Sequence, residues 1–259
     1  MIDSGRLRPR ISPAASVSST PGGGSVLQLP AGDSRAFRLV QLDDYVELPR
    51  GRFRWSPPLE LSLRARLSTR AHRGTWGFGL WNDPFSLSLG VQGTARRLPA
   101  LPNAAWFFFA SEHNHLSLRD DRPGSGFLAA TFSSPLIPPP LLAPGLLMLP
   151  LLASRPASRW LRRQAARIVR GDAKRMDVDP AEWRDYQLRL STDHVAFAVG
   201  SVIVFETNVA PRGPLGLVIW IDNQFAAWRP EGSAATGLLA GPTAALEIED
   251  LQVRPEAVV

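Results

Sequence analysis

The chain of 259 residues contains no cysteine. This excludes a disulfide framework, a zinc site built on thiolates and a cysteine nucleophile. Lysine is almost missing as well: of 29 basic residues, only Lys174 is not arginine. Arginine stays ionised at any accessible pH, so a net charge of only +6 gives a pI near 11.0. Locally, charge of either sign is absent from Pro123 to Ser154. Long unbroken apolar runs are also lacking. Six prolines, from Pro135 to Pro150, interrupt the apolar stretch 135–153, and its longest proline-free piece is Gly145 to Leu149. A regular spanning helix would lose several backbone hydrogen bonds there, which argues against a transmembrane segment. Residues 1–25 hold no apolar core of the kind a secretory signal requires, so no signal peptide is visible and a cytoplasmic location is the default.

What is present suits a folded protein: 44% hydrophobic and 20% charged residues. The charge is unevenly placed. Residues 155–175 carry eight basic side chains against Asp172, a net +7, and the rest of the chain is −1. A general electrostatic grip on nucleic acid does not fit a nearly neutral body, and no recognition-module signature accompanies the basic segment. Residues 1–25, with Arg6, Arg8 and Arg10 and a run ending in Pro21-Gly22-Gly23-Gly24, read as a flexible tail.

From Val26 onward, short apolar or alternating runs lie between turn signals. Leu59-Glu60-Leu61-Ser62-Leu63-Arg64-Ala65-Arg66-Leu67 alternates with period two, the pattern of a half-buried strand. Gln187–Leu190 and Leu246–Val253 repeat it, and Gly200-Ser201 between two apolar runs signals a hairpin. Further strands are expected at Ala36–Leu42, Tyr45–Leu48, Trp76–Asn82, Phe85–Gln92, Ala105–Glu112, Leu116–Arg119, Gly126–Phe132 and Leu215–Asp222. Many strands without intervening helices indicate an all-β sandwich or jelly roll, with a barrel as competitor. The expected domain joins residues 26–134 and 182–259, with residues 135–181 as an insertion.

Trp183-Arg184-Asp185-Tyr186-Gln187-Leu188, followed by Asp193-His194-Val195-Ala196-Phe197-Ala198-Val199-Gly200, resembles the hairpin of concanavalin A-like lectin/glucanase domains. Pro211–Asn223 resembles their next strand, Leu246–Val253 their last, and Gly74–Asp83 an earlier strand of the same sheet. The likeness spans residues 35–134 and 182–254 and is nearest to glycoside hydrolase family 16-like domains. It implies a concanavalin A-like two-sheet β-sandwich with a helical, apolar insertion. It also implies carbohydrate as the ligand class, although this fold hosts lectins, hydrolases and adhesive modules alike.

Family 16 draws its paired carboxylates from one strand, as E-x-D-x-x-E or E-x-D-x-E, and retaining hydrolysis needs two carboxyl groups about 5 Å apart. The best match here is Phe107-Phe108-Phe109-Ala110-Ser111-Glu112, in which phenylalanines occupy the first two acidic positions. Only Glu112 remains as a catalytic candidate, and normal family 16 hydrolysis is not expected. The expected ligand-binding residues are Trp81, Asn82, Trp106, Glu112, Asn114, Trp220 and Asp222: tryptophans for stacking and polar groups beside them. Tryptophans filling a thick core are the competing explanation. Gly77 and Gly79 share a strand face with Trp81 and leave room for a ligand or a neighbouring side chain. His113 and His115 would need a third ligand to hold a metal, and neither metal nor cofactor is expected.

Within the insertion, Pro156 suits the first turn of a helix and Gly171 its end. Ala157, Leu161, Ala165, Ile168 and Val169 fall on one side of this helix. Arg159, Arg162, Arg163, Arg167 and Arg170 fall on the other and form the expected interaction surface. Either the apolar side packs on the sandwich, or residues 135–175 meet an anionic membrane surface or a protein partner.

Overall fold

The computed structural model describes residues 7–84 and 97–255; the strand expected at Phe85–Gln92 lies outside them. Among the described residues are sixteen strands and one α-helix. Seven strands form the first sheet, in the order β1 (Arg8–Ile11), β4 (Leu39–Asp43), β13 (Gly216–Asp222), β6 (Thr75–Trp81), β7 (Ala104–Ala110), β8 (Gly126–Ser133) and β9 (Arg170–Arg175). Seven more form the second, in the order β12 (Val202–Thr207), β11 (Val195–Val199), β10 (Arg184–Leu190), β5 (Leu59–Leu67), β16 (Ala244–Pro255), β3 (Ser25–Leu29) and β2 (Ser16–Ser19). A hairpin of β14 (Gln224–Trp228) and β15 (Ala234–Leu238) stands apart. Neighbouring strands run antiparallel throughout both sheets. The molecule is therefore an all-β jelly-roll sandwich.

The two sheets bury their faces differently, and the sequence pattern records it. In β5, burial alternates strictly, with Leu59, Leu61, Leu63, Ala65 and Leu67 turned inward. Its outward charges meet partners on the neighbouring strands. The Arg66 guanidinium donates to both oxygens of Glu247 (3.0 and 2.9 Å), Arg64 reaches Glu249, and Arg189 reaches Glu60. The second sheet thus keeps one face in water, stitched by cross-strand pairs of modest individual value. In the first sheet, every residue of β13 is buried, as are all but the last of β6. Strands covered on both faces read as continuous apolar runs, which is why Ala104–Ala110 and Gly216–Asp222 do not alternate. Val40, Phe78, Phe107 and Ile219 face the second sheet, whereas Trp106, Phe108, Val218 and Trp220 form a separate cluster on the outer face.

Three local expectations are corrected. Residues 8–29 are not a lead-in: β1 pairs with β4, and β2 with β3. Both are edge strands, which need one partner only, and buried Leu7, Leu27 and Leu29 anchor the segment. Pro9 is tolerated because an edge strand bonds on one side. Residues 45–48 form a turn, because the Asp43 carboxylate accepts the Val46 N–H (2.8 Å) and holds the chain in an Asx-type bend. Leu116–Arg119 is likewise a loop, closed by the Ser117 hydroxyl against Arg119.

The insertion is shorter than its expected bounds, since β9 rejoins the first sheet beside β8. Its regular part is a 3-10 segment, Pro139–Ala153, followed by helix α1, Arg155–Ile168. The buried side of the helix is offset from its apolar side: Val169 is buried and Ala157, Leu161 and Ala165 are half-buried. Ser158 and Arg162 are its buried residues, while Ile168 and Trp160 are exposed. Arg162, expected on the interaction surface, instead points inward. Its guanidinium donates to the Trp228 carbonyl (3.0 Å) and the Ser117 carbonyl (2.8 Å) and pairs with Asp120. Two carbonyls and a carboxylate satisfy its donors and offset the cost of burying the charge.

Candidate functional site

The outer face of the first sheet is built by period-two alternation on four strands. Gln41 and Asp43 of β4, Val218, Trp220 and Asp222 of β13, Trp81 of β6, and Trp106 and Phe108 of β7 lie on this side. Three tryptophans converge there. The rings of Trp81 and Trp220 are 6.4 Å apart and nearly parallel, at 6°. Trp106 leans against both, at 5.7 Å from Trp81 and 5.6 Å from Trp220. Phe108 stacks on Trp220 at 5.5 Å. These offset and tilted arrangements are the favoured ones for aromatic quadrupoles.

Gly77 and Gly79 make room for the cluster. A methyl group at Gly77 would lie 2.8 Å from the Trp220 ring and 2.5 Å from the Phe107 carbonyl oxygen, and one at Gly79 would lie 2.5 Å from the Trp106 Cβ. The space these glycines leave is taken by neighbouring side chains. Trp106 and Trp220 are 7% and 9% exposed, whereas Trp81, at the end of β6, is half-buried and more open.

The indole N–H groups differ in their partners. Trp81 donates to the Tyr45 hydroxyl (2.7 Å), which also accepts from Gln41 (3.2 Å). Trp220 donates to the Thr75 hydroxyl (2.9 Å), which in turn donates to Asp222 (2.9 Å). The Trp106 Nε1 is buried and has no hydrogen-bond partner among the described residues. Trp76 Nε1 shares that condition, but its ring faces the core between the sheets.

Asp222 closes the far end of the face. One of its oxygens accepts the Thr75 N–H (3.2 Å), the Thr75 hydroxyl and the Gln224 N–H (3.0 Å). Burial nonetheless pushes its carboxyl up to about 7, because the charged form loses more hydration than these bonds return. At the other end, burial raises Asp43 and drives the Tyr45 phenol well above its ordinary value.

Of the expected site residues, the structure brings together Trp81, Trp106, Trp220 and Asp222. Asn82 is not with them. Its side chain accepts the Asn103 N–H and donates to the Leu101 carbonyl, clamping the segment that enters β7. Asn114 is buried in a similar task, accepting the Ala226 N–H and bonding Ser111. Glu112 is exposed in the turn after β7. His113 and His115 lie in and just after that turn, and the described residues contain no group of three or more His, Asp or Glu side chains able to hold a metal. Residues 107 and 109 face the inter-sheet core or pack against it. On β7 the outer face is therefore made by Ala104, Trp106, Phe108 and Ala110, none of them a carboxylate. Tyr45, Thr75 and Phe108 were not anticipated. Phe108 is signalled by its two-residue spacing from Trp106, whereas Tyr45 and Thr75 join through contacts distant in sequence.

No family model and no curated protein sequence matches this chain. Solved structures do share its fold. A LamA protein of Z. galactanivorans, solved in complex with laminaritriose and laminaritetraose, superposes with a TM-score of 0.53 at 10% identity, over 97% of this chain and 93% of its own. An immunostimulatory antigen and pseudo-β-1,3-glucanase of Mycobacterium tuberculosis gives 0.50 at 12% identity, over 93% and 79%. A legume lectin-like domain from Entamoeba histolytica gives 0.47 at 9% identity, over 98% and 91%. With two antiparallel seven-stranded sheets in this order, the chain has a concanavalin A-like sandwich fold.

Proposed function

We propose that the outer face of the first sheet recognises a carbohydrate without hydrolysing it. The observation that carries this reading is the Trp106 indole N–H. It is a buried donor without a partner among the described residues, in the middle of three tryptophans on an outer sheet face. An unpaired buried donor costs free energy, and a sugar hydroxyl that reached it by displacing a neighbouring side chain would recover that cost while its C–H face lies on the open edge of Trp81. Asp222, held near neutrality at the end of the face, supplies a second polar group. The structures of similar fold include one bound to laminari-oligosaccharides, so a β-glucan fragment is the ligand class to test first.

The non-hydrolytic part of this reading is supported by β7. Two carboxyl groups about 5 Å apart are needed, and this strand presents only alanine, tryptophan and phenylalanine on that face. Glu112 stands exposed in the turn beyond it.

Calorimetric titration with laminaritriose tests the reading. Trp106→Phe removes the N–H and keeps a smaller aromatic ring, so binding should weaken by about tenfold while the melting temperature falls only modestly. Trp81→Ala should weaken it further. No heat of binding with laminaritriose or any member of a broad glycan array would sink the proposal. Release of reducing sugar that disappears in Glu112→Gln would overturn its non-hydrolytic part.

A further inference from the structure

The insertion displays a second surface, away from the tryptophan face in its chemistry. Residues 135–153 contain no side chain able to donate or accept a hydrogen bond. In a soluble core such a stretch would be hidden. Here Leu141 is 70% exposed and Leu147 79%, with Leu136, Met148 and Leu149 also open to solvent. A contiguous apolar patch of this kind marks an interaction site. Helix α1 packs alongside the segment and adds Trp160, 49% exposed. Arg163 and Arg167, three and seven residues further on, share the exposed side of the helix with Trp160, and Arg155, Arg159 and Arg170 are exposed too.

Among the described residues these arginines form no ion pair, although Glu231 lies close enough to Arg155 to feel its charge. No Asp or Glu occurs between Asp121 and Asp172. Among the described residues, the helix's one ion pair is made by the inward-pointing Arg162. Arg167 bonds only the neutral Gln164. The surface therefore joins an apolar strip without polar anchors to a rim of uncompensated positive charge.

We propose that residues 136–170 dock on an anionic lipid surface. The leucines enter the boundary of the acyl region, which asks for no hydrogen bonds. Trp160 lies at the headgroup level, and the arginines meet lipid phosphates. A bilayer surface supplies both chemistries at once, an apolar acyl boundary beneath anionic headgroups, which favours it over a protein partner. The segment lies on the bilayer and does not cross it: no helix among the described residues is long and apolar enough to span a membrane.

Vesicle flotation of the full chain tests this, using phosphatidylcholine vesicles with and without phosphatidylserine. The native protein should float with the anionic vesicles, and less so as salt is raised. Arg163→Gln and Arg167→Gln should each lower the bound-to-free ratio by about fivefold. Leu147→Asp with Leu149→Asp should abolish flotation. All four positions are exposed, and an unchanged circular dichroism melt confirms that the variants fold. The idea is overturned if the native chain does not float, or if flotation is equal on both vesicle types. It is also overturned if the leucine variants bind as well as the native chain, or if they dissolve a concentration-dependent dimer that never binds vesicles. Glycan binding at Trp106 is read separately and is unaffected by any of these outcomes.

Discussion

Asp222 and His72 both contact Thr75, and burial moves them in opposite senses. Asp222 is raised from 3.8 to about 7 and His72 is lowered from 6.5 to about 4. Between about pH 4 and 7 the folded chain keeps an Asp222 proton that the unfolded chain has released, so this group makes stability fall as pH rises. Below about 6.5 the unfolded chain binds a His72 proton that the folded chain refuses until about pH 4, so this group makes stability rise over nearly the same window. Each effect is worth about 3–4 kcal/mol, and they offset one another. Asp222→Asn should therefore give a melting temperature that climbs from pH 4 to 6.5, against a flatter native profile. A variant profile with no such slope would mean that His72 is not held neutral, and a native profile as steep as the variant's would mean that Asp222 is not. The face that Asp222 shares with Trp220 could be read from their spacing of two residues. The Thr75 link could not, because it spans 145 positions in sequence.

Helix α1 was legible as an element but not in its orientation. Pro156 and the periodic arginines place it within a few residues, yet the apolar stripe is offset from the side that is buried. Arg162 decides the matter, through acceptors at Ser117, Asp120 and Trp228 that no local pattern reveals. Its partnership is lopsided: the Arg162 side chain is 4% exposed and that of Asp120 is 69% exposed. Asp120→Asn should cost less than about 1 kcal/mol, since water replaces the lost pair. Arg162→Ala strands two carbonyls and should cost about 2–3 kcal/mol. Hydrogen exchange localises the loss: amides of α1 and of 117–120 should open while β5 and β16 stay protected. Uniform loss of protection across both sheets would contradict this assignment. Edge elements were the other blind spot. β9 reads as a continuation of the basic segment because charged residues commonly guard a sheet edge.

The N-terminal segment adds an edge strand to each sheet, β1 to the first and β2 to the second. Removing residues 1–24 should expose β4 and β3 as new edges, lower the melting temperature and produce aggregation visible by light scattering. A truncated chain that stays monomeric with an unchanged melt would restore the reading of this segment as a dispensable tail. The sandwich class itself was legible, because one-sided burial imposes alternation on the second sheet and two-sided burial erases it in the first. The order of the strands has a further consequence for how the molecule comes into being. β16 sits between β5 and β3, so the middle of the second sheet is supplied by residues 244–255. β5 emerges from the ribosome long before the strand it must pair with. For most of synthesis its apolar side has no sheet to complete, and closure waits on a contact bridging much of the chain, which makes folding slow and leaves the nascent chain dependent on protection from aggregation.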